Sequence, residues 1–401
     1  MFEVLKERGF IFDTTHEEEI KNLLNNEKIT FYIGFDPTAD SLHIGHFLTF
    51  MAMGHLQKHG HTPIILLGGG TGMVGDPTDR TDMRKVLSLE EIDFNVNRFR
   101  EQVEKLPFIN LDNAVVLNNA DWLKSLNYME FLRDFGVDFS VNRMLSADSY
   151  KSRYEKGLTF LEFNYMILQA YDFFHLNKEH NCMLQIGGRD QWSNILAGTD
   201  LIRRKSGKES YGLTLSLLET AEGKKMGKTM GGAVWLDGKK TSPHEFYQFF
   251  RNLDDSIVIG YIKLLTFVPL EEIKELELLK GKEINKAKER LAYEVTKIIH
   301  GEEAAKEAEK AAISLFGKKG TESNDEGSIP KCEITENTLD ILTLLERTSL
   351  VKSRSEGRRL IAGGGIKIND ETINDDAAQI NIVDGMMVRK GKKYFCKVVK
   401  R

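Results

Sequence analysis

What this sequence has little of narrows it first. Its 401 residues hold three cysteines (Cys182, Cys332 and Cys396), which lie far apart, form no metal-ligand spacing and cannot all pair. A disulfide-stapled framework is excluded, and a reducing, cytoplasmic setting is expected. Long apolar runs are also missing. The longest, such as Thr62 to Leu67, are strand-sized and far short of the ~20 residues of a membrane span, so no membrane partner is expected. The N-terminus mixes acidic and basic residues in an amphipathic pattern and lacks the apolar core and cleavage site of a signal peptide. Positive charge is not in surplus either: the net charge is −5, and the total gives no sign of a nucleic-acid partner.

The composition that remains, 41% hydrophobic and 29% charged, suits a soluble globular chain too long for one core. Charge is unevenly spread. Thr338 to Arg401 carries 13 basic and 8 acidic residues, which leaves 42 basic and 52 acidic in the first 337. A basic tail on an acidic body is a footprint for a phosphate backbone, although so modest an excess is often only a solvated face.

The chain changes character along its length. Through residue 241, strand-like segments (Ile29 to Asp36, Thr62 to Leu67, Ala114 to Leu117, Met183 to Ile186, Leu213 to Leu218) alternate with helix-like ones such as Leu42 to His59. The interleaving predicts an α/β domain, a mostly parallel sheet with helices on both faces. Residues 242–316 read as an all-helical domain, with Glu271 to Lys280 and Lys286 to His300 rich in Glu, Lys, Ala and Leu at helical spacing. Residues 317–337 read as a linker. Residues 338–401 read as a small basic α+β module, with helices near Leu339 to Glu346 and Ser353 to Ala362.

Three stretches hold the chemistry. In Tyr32 to His46, strand alternation turns Phe31, Ile33 and Phe35 one way and Tyr32, Gly34 and Asp36 the other, toward the ligand side of an open sheet. After Pro37, Asp40 or Ser41 is expected to cap a helix, with His43 and His46 in its first turn and Gly45 leaving room for a planar group. Helix N-termini favour anions, and two imidazoles there can donate to phosphate oxygens. His55, His59 and His61 read as structural. The second stretch, Lys224 to Thr229, places Lys225 and Lys228 on a glycine-flanked loop that can stabilise a leaving pyrophosphate. In the third, a strong helix is expected from the capping box Thr159 to Glu162. It puts Tyr165, Gln169 and Asp172 in one polar stripe suited to a zwitterion with a phenol; a structural polar network reads equally well from these residues alone.

His43-Ile44-Gly45-His46 stands as the first signature of class I aminoacyl-tRNA synthetases, and Lys224 to Thr229 resembles the second, with Gly227 and Thr229 in place of serines. Tyr165 to Asp172 is similar to the bacterial tyrosine-specific family, and the resemblance covers essentially the whole chain. It implies a Rossmann-like catalytic domain, an anticodon-arm-binding helical domain and an RNA-binding tail in which Arg354, Arg358, Arg359 and Lys367 meet phosphates. It assigns Tyr32 and Asp172 to the substrate phenol, and Asp76, Tyr165 and Gln169 to its ammonium group. Gly188 and Asp190 would serve the ribose, and Gln191 the carboxylate or α-phosphate. Gly34, Asp36, Gly45 and Lys228 would bind ATP, with Thr38, His43, His46, Lys225 and Lys228 catalytic. Arg189 departs from relatives that have a small residue there. Implied partners are tRNA(Tyr), L-tyrosine, ATP with its Mg²⁺, and a second copy of the chain. The rivals are the tryptophan-specific enzyme of the same fold and a synthetase-like RNA-binding protein without catalysis.

Overall fold

The computed structural model describes residues 1–78, 87–223, 225–226, 233–316, 331–351, 353–391 and 394–400. By contacts the chain divides into two units, Met1–Lys306 and Glu307–Arg401. The first is built on a six-stranded sheet: β1 (Ile11–Thr14), β2 (Thr30–Phe35), β3 (Thr62–Leu67), β4 (Val115–Asn118), β5 (Cys182–Gly188) and β6 (Tyr211–Leu215). Their spatial order is β1-β6-β5-β2-β3-β4. From β6 to β4 every neighbour is parallel. Chain order runs outward from β2 through β3 to β4, and outward the other way from β5 to β6. The reversal between β2 and β5 opens a crevice beyond their carboxyl ends, where sheets of this kind bind ligands.

The apolar runs become central strands because both faces are covered. Phe31, Ile33, Ile64, Ile65, Leu184, Ile186 and Leu213 are all buried. Helix Ile44–Lys58 is buried along most of its circumference. Helices Tyr165–His180 and Trp192–Ser206 pack against each other, with Tyr32, Phe173 and Ile202 in one apolar cluster. After the sheet come helices Pro243–Arg251, Val258–Leu265, Leu270–Leu276 and Ile284–His300; the first opens with a capping box between Ser242 and Glu245. This is the expected α/β, Rossmann-like architecture followed by helices.

The second unit holds a five-stranded and a two-stranded sheet with helices Ile341–Arg347 and Arg354–Ala362 around its own core, including Ile341, Leu345, Ile366 and Val388. It is a small α+β domain.

Two local features differ from the sequence reading. Strand β1 pairs antiparallel with β6 at the sheet edge and was not anticipated; its four residues are all at least partly exposed. The Thr159 capping box forms, but the helix it opens spans only Phe160–Phe163, and a new helix begins at Tyr165. The Tyr150 hydroxyl stitches this break, donating to Phe163 O at 2.8 Å and accepting from Met166 N–H at 3.2 Å.

Candidate active site

The histidine turn follows β2. His43 is not in the first helical turn but is itself the cap, with extended backbone (φ −128°, ψ 173°). Its Nδ1 accepts from Gly45 N–H at 3.0 Å, and His46 Nδ1 accepts from His43 N–H at 3.2 Å. The two imidazoles thus fill the roles that Ser and Glu play in an ordinary capping box. Asp40, one expected cap, pairs instead with Lys240, while Ser41 donates to Gln102. The rings stack with centroids 3.9 Å apart. In each neutral ring, a proton excluded from the accepting Nδ1 resides on Nε2, which makes Nε2–H a donor turned away from the capped backbone. Burial pushes His46 well below the usual imidazole range, and His43 beside it pushes the same way. Gly45 is needed because a Cβ there would lie 2.9 Å from His43 Cε1. The space that the sequence reading kept for a bound planar group belongs to His43's own ring. Residues 234–236 pair with this turn: Ile44 N–H donates to Val234 O at 3.1 Å and Leu236 N–H to Leu42 O at 2.9 Å.

On the other side of the crevice, a continuous polar network runs through buried side chains. The Asp172 carboxylate accepts from Asn119 Nδ2 and from Trp122 Nε1, each at 2.8 Å. Asn119 Nδ2 also donates to Thr71 Oγ1 at 2.9 Å, and Thr71 donates to Asp36 Oδ1 at 2.7 Å. The Tyr165 hydroxyl closes the run on Asp36 Oδ2 at 2.9 Å. Burial raises Asp172 to about 7; its two donors pull against this, and Asp36 adds to it. Tyr32 Oη and Gln185 Oε1 are buried without a hydrogen-bond partner among the described residues. They sit in register on adjacent strands β2 and β5. Burial, with Asp172 nearby, holds the Tyr32 hydroxyl in its protonated form. A buried orphan hydroxyl costs free energy, so orphans on paired strands beside the crevice make a candidate site for a polar ligand.

Asp76 and Gln191 meet directly: Gln191 Nε2 donates to Asp76 Oδ2 at 2.7 Å, while Thr78 holds Oδ1. Gln169 is half-buried on the same helix as Tyr165 and Asp172. At the end of β5, a Cβ on Gly188 would lie 2.4 Å from Asp190 Oδ1. Asp190 Oδ2 lies 2.9 Å from Lys225 Nζ. Gly34 and Thr38 are exposed, and a Cβ on Gly34 would meet nothing within 4 Å. Lys228, with Lys224, Gly227 and Thr229, lies outside the described residues. His55 and His61 are buried, and His61 bonds to Leu24 O and Ile29 N–H, as structural residues do.

Sequence reasoning missed Asn119, Trp122, Thr71 and Gln185. Each follows or lies in a strand at the crevice, and Asn118-Asn119 directly after the apolar run of β4 was a usable signal. In the tail, Arg354 faces Asp340 and Glu346, and Arg358 faces Asp376, while Arg359 is exposed.

Known proteins are similar to this chain in sequence and fold. A family profile described as "tRNA synthetases class I (W and Y)" matches residues 24–317, and one described as "Tyrosine--tRNA ligase SYY-like C-terminal domain" matches residues 323–398. A tyrosine--tRNA ligase of Acetivibrio thermocellus is 57% identical over 406 residues, covering 99% of this chain and 98% of that protein. One of Clostridium botulinum is 54% identical over 409 residues, covering 100% and 99%. The crystal structure of a C-terminally truncated Aspergillus nidulans mitochondrial tyrosyl-tRNA synthetase superposes with a TM-score of 0.71 at 32% identity, covering 79% of this chain and 94% of that one. With profiles along nearly its whole length and relatives more than half identical end to end, this chain belongs to the bacterial-type tyrosyl-tRNA synthetases of class I.

Proposed function

We infer that the chain activates L-tyrosine with ATP, releasing pyrophosphate, and transfers the tyrosyl group to the 3′ end of tRNA(Tyr). The observation that carries the choice of amino acid is the unpartnered Tyr32 hydroxyl beside the Asp172 carboxylate. A phenol both donates and accepts, so it satisfies Asp172 and Tyr32 together. An indole N–H donates only and leaves Tyr32 unpaired; phenylalanine leaves Tyr32 unpaired and offers Asp172 no donor beyond Asn119 and Trp122, at the cost of burying an orphaned hydroxyl. Asp76, Tyr165 and Gln169 are placed here as the ammonium site, and Gln191 as the neighbour of the carboxylate or α-phosphate.

In the first step the tyrosine carboxylate oxygen attacks the α-phosphorus of ATP in line, and the bond to the pyrophosphate oxygen breaks. Nε2–H of His43 and His46, with Lys225 and Lys228, would stabilise the charge that develops on the phosphate oxygens. Thr38, Gly34, Asp36 and Gly45 line the approach, and Gly188 and Asp190 take the ribose. Among the described residues, no three His, Cys, Asp or Glu side chains gather as metal ligands. Mg²⁺ is proposed to travel with the nucleotide phosphates, whose oxygens are the hard ligands it prefers. In the second step a ribose hydroxyl at the tRNA terminus attacks the tyrosyl carbonyl and AMP leaves. The mixed anhydride is already activated, so no side-chain nucleophile is needed.

We place tyrosine activation in residues 1–241, anticodon-arm contact in 242–316 and phosphate contact in 338–401. A homodimer is proposed from the stretch 128–161, where Tyr128, Met129, Leu132, Val137, Val141 and Phe160 are exposed apolar side chains that a second copy would cover. The three free thiols fit a cytoplasmic setting. The test is ATP–pyrophosphate exchange with tyrosine, tryptophan and phenylalanine, followed by charging of tRNA(Tyr). Exchange with tyrosine alone supports this reading; exchange with tryptophan, or none at all, overturns it.

A further inference from the structure

Arg189 lies between Gly188 and Asp190 in the turn after β5 that is proposed for the ribose. Its Nη1 lies 3.0 Å from Glu219 Oε1, and its guanidinium lies 5.5 Å from the ring centroid of Phe12, an exposed residue of β1. Glu219 and Lys225 face each other in an antiparallel bridge, and Met226 N–H donates to Leu218 O at 2.6 Å. The Tyr261 hydroxyl donates to Glu219 O at 3.1 Å and fixes this stem from helix Val258–Leu265. Turn and stem therefore each present one cation and one anion, crossed: Arg189 to Glu219, and Lys225 to Asp190 at 2.9 Å.

The two pairs differ in one respect. Asp190 is the group proposed for the ribose hydroxyls, and Lys225 the one proposed for the phosphates, so nucleotide entry must exchange the Lys225–Asp190 pair. The Arg189–Glu219 pair competes with neither. We propose that Arg189 is a positioning residue whose pair with Glu219 keeps the paired residues Leu218, Glu219, Lys225 and Met226 beside the ribose turn while Lys225 moves from Asp190 to the phosphates. The inference rests on the proposed roles of Asp190 and Lys225. Arg189 touches no reacting atom; it acts through the placement of Lys225.

The experiment is tyrosine-dependent ATP–pyrophosphate exchange by the full chain, with thermal melting as a control. Both side chains are part-exposed, so the effect is small: Arg189→Ser and Glu219→Gln are each expected to raise KM for ATP about three- to fivefold. KM for tyrosine and the melting temperature should stay unchanged, a split that general structural damage would not give. The double variant should be no worse than either single one, and the swap R189E/E219R should recover most of the loss. An unchanged KM for ATP in Arg189→Ser, or additive losses in the double variant, overturns the proposal. Lys225→Ala separates the two levels of inference. If it leaves exchange intact, the role of Lys225 fails and the proposal with it. If it abolishes exchange while Arg189→Ser is silent, only the role of Arg189 is lost.

Discussion

The two ends of the crevice are built on opposite principles. At the end proposed for tyrosine, Tyr32 and Asp172 are 1% and 2% exposed, and hydrogen bonds within the chain fix the network from Asp172 through Asn119, Thr71 and Asp36 to Tyr165. At the end proposed for the nucleotide, the Lys225 side chain is 51% exposed and held by an ion pair that a phosphate or ribose can replace, while Arg189, 41% exposed, pairs with Glu219. Buried, pre-set dipoles discriminate between ligands, because a wrong ligand leaves them unpaired. Exposed charges attract and release, because water screens both outcomes. The difference teaches where selectivity and where turnover are built.

The comparison can be broken at the histidine turn, which sits between the two ends. His46→Asn should lower the rate constant of tyrosine activation by about 10²–10³-fold with little change in KM for tyrosine, the mark of a donor used in the transition state; burst kinetics of adenylate formation measure it. Asp172→Asn tests the buried end. Tyrosine kcat/KM should fall roughly ten- to a hundredfold, since a charged acceptor is lost between two fixed donors, while KM for ATP stays near wild type. A steady-state exchange assay separates the two constants.

The raised Asp172 gives the buried end a pH signature. Its carboxylate must be ionised to accept from the phenol, so tyrosine kcat/KM should fall by up to about tenfold per pH unit below a midpoint near 7. In Asp172→Asn that dependence should disappear. Stability of the unliganded protein runs the other way. The folded state holds this proton more tightly than the unfolded one, so its contribution declines as pH rises from the ordinary carboxylate range through about 7; melting curves across that range show the sign. The smallest effect is expected from Tyr32→Phe. Removing the orphan hydroxyl should stabilise the unliganded protein by about 1 kcal/mol and reduce the preference for tyrosine over phenylalanine about fivefold. Opposite signs in melting and in kinetics would sharpen the comparison; a loss in both would break it.

Much of this was legible in the sequence because pattern and period agreed. β3 spans Thr62–Leu67, the very residues of the apolar run, since a central parallel strand needs nothing but apolar side chains. The polar stripe of Tyr165, Gln169 and Asp172 survived for a similar reason, although the helix bearing it starts six residues after the Thr159 cap. What failed to show was long-range. Asn119 and Trp122 meet Asp172 from about fifty residues away, and no local period encodes that. β1 is too short and too exposed to alternate visibly. His43 was misplaced by one helical position because imidazole rarely serves as a cap, and its own ring takes the space that Gly45 opens.

The chain has three tryptophans, and two of them meet residues of this crevice: Trp122 donates to Asp172 and Trp235 bridges to His43, while Trp192 follows Gln191 in the chain. The protein therefore has a built-in optical gauge. In a 45.6 kDa molecule, two of the three indoles lie against residues of the candidate site, Trp122 against Asp172 and Trp235 against His43. Replacing Trp235 by phenylalanine should weaken the fluorescence response to ATP more than the response to tyrosine.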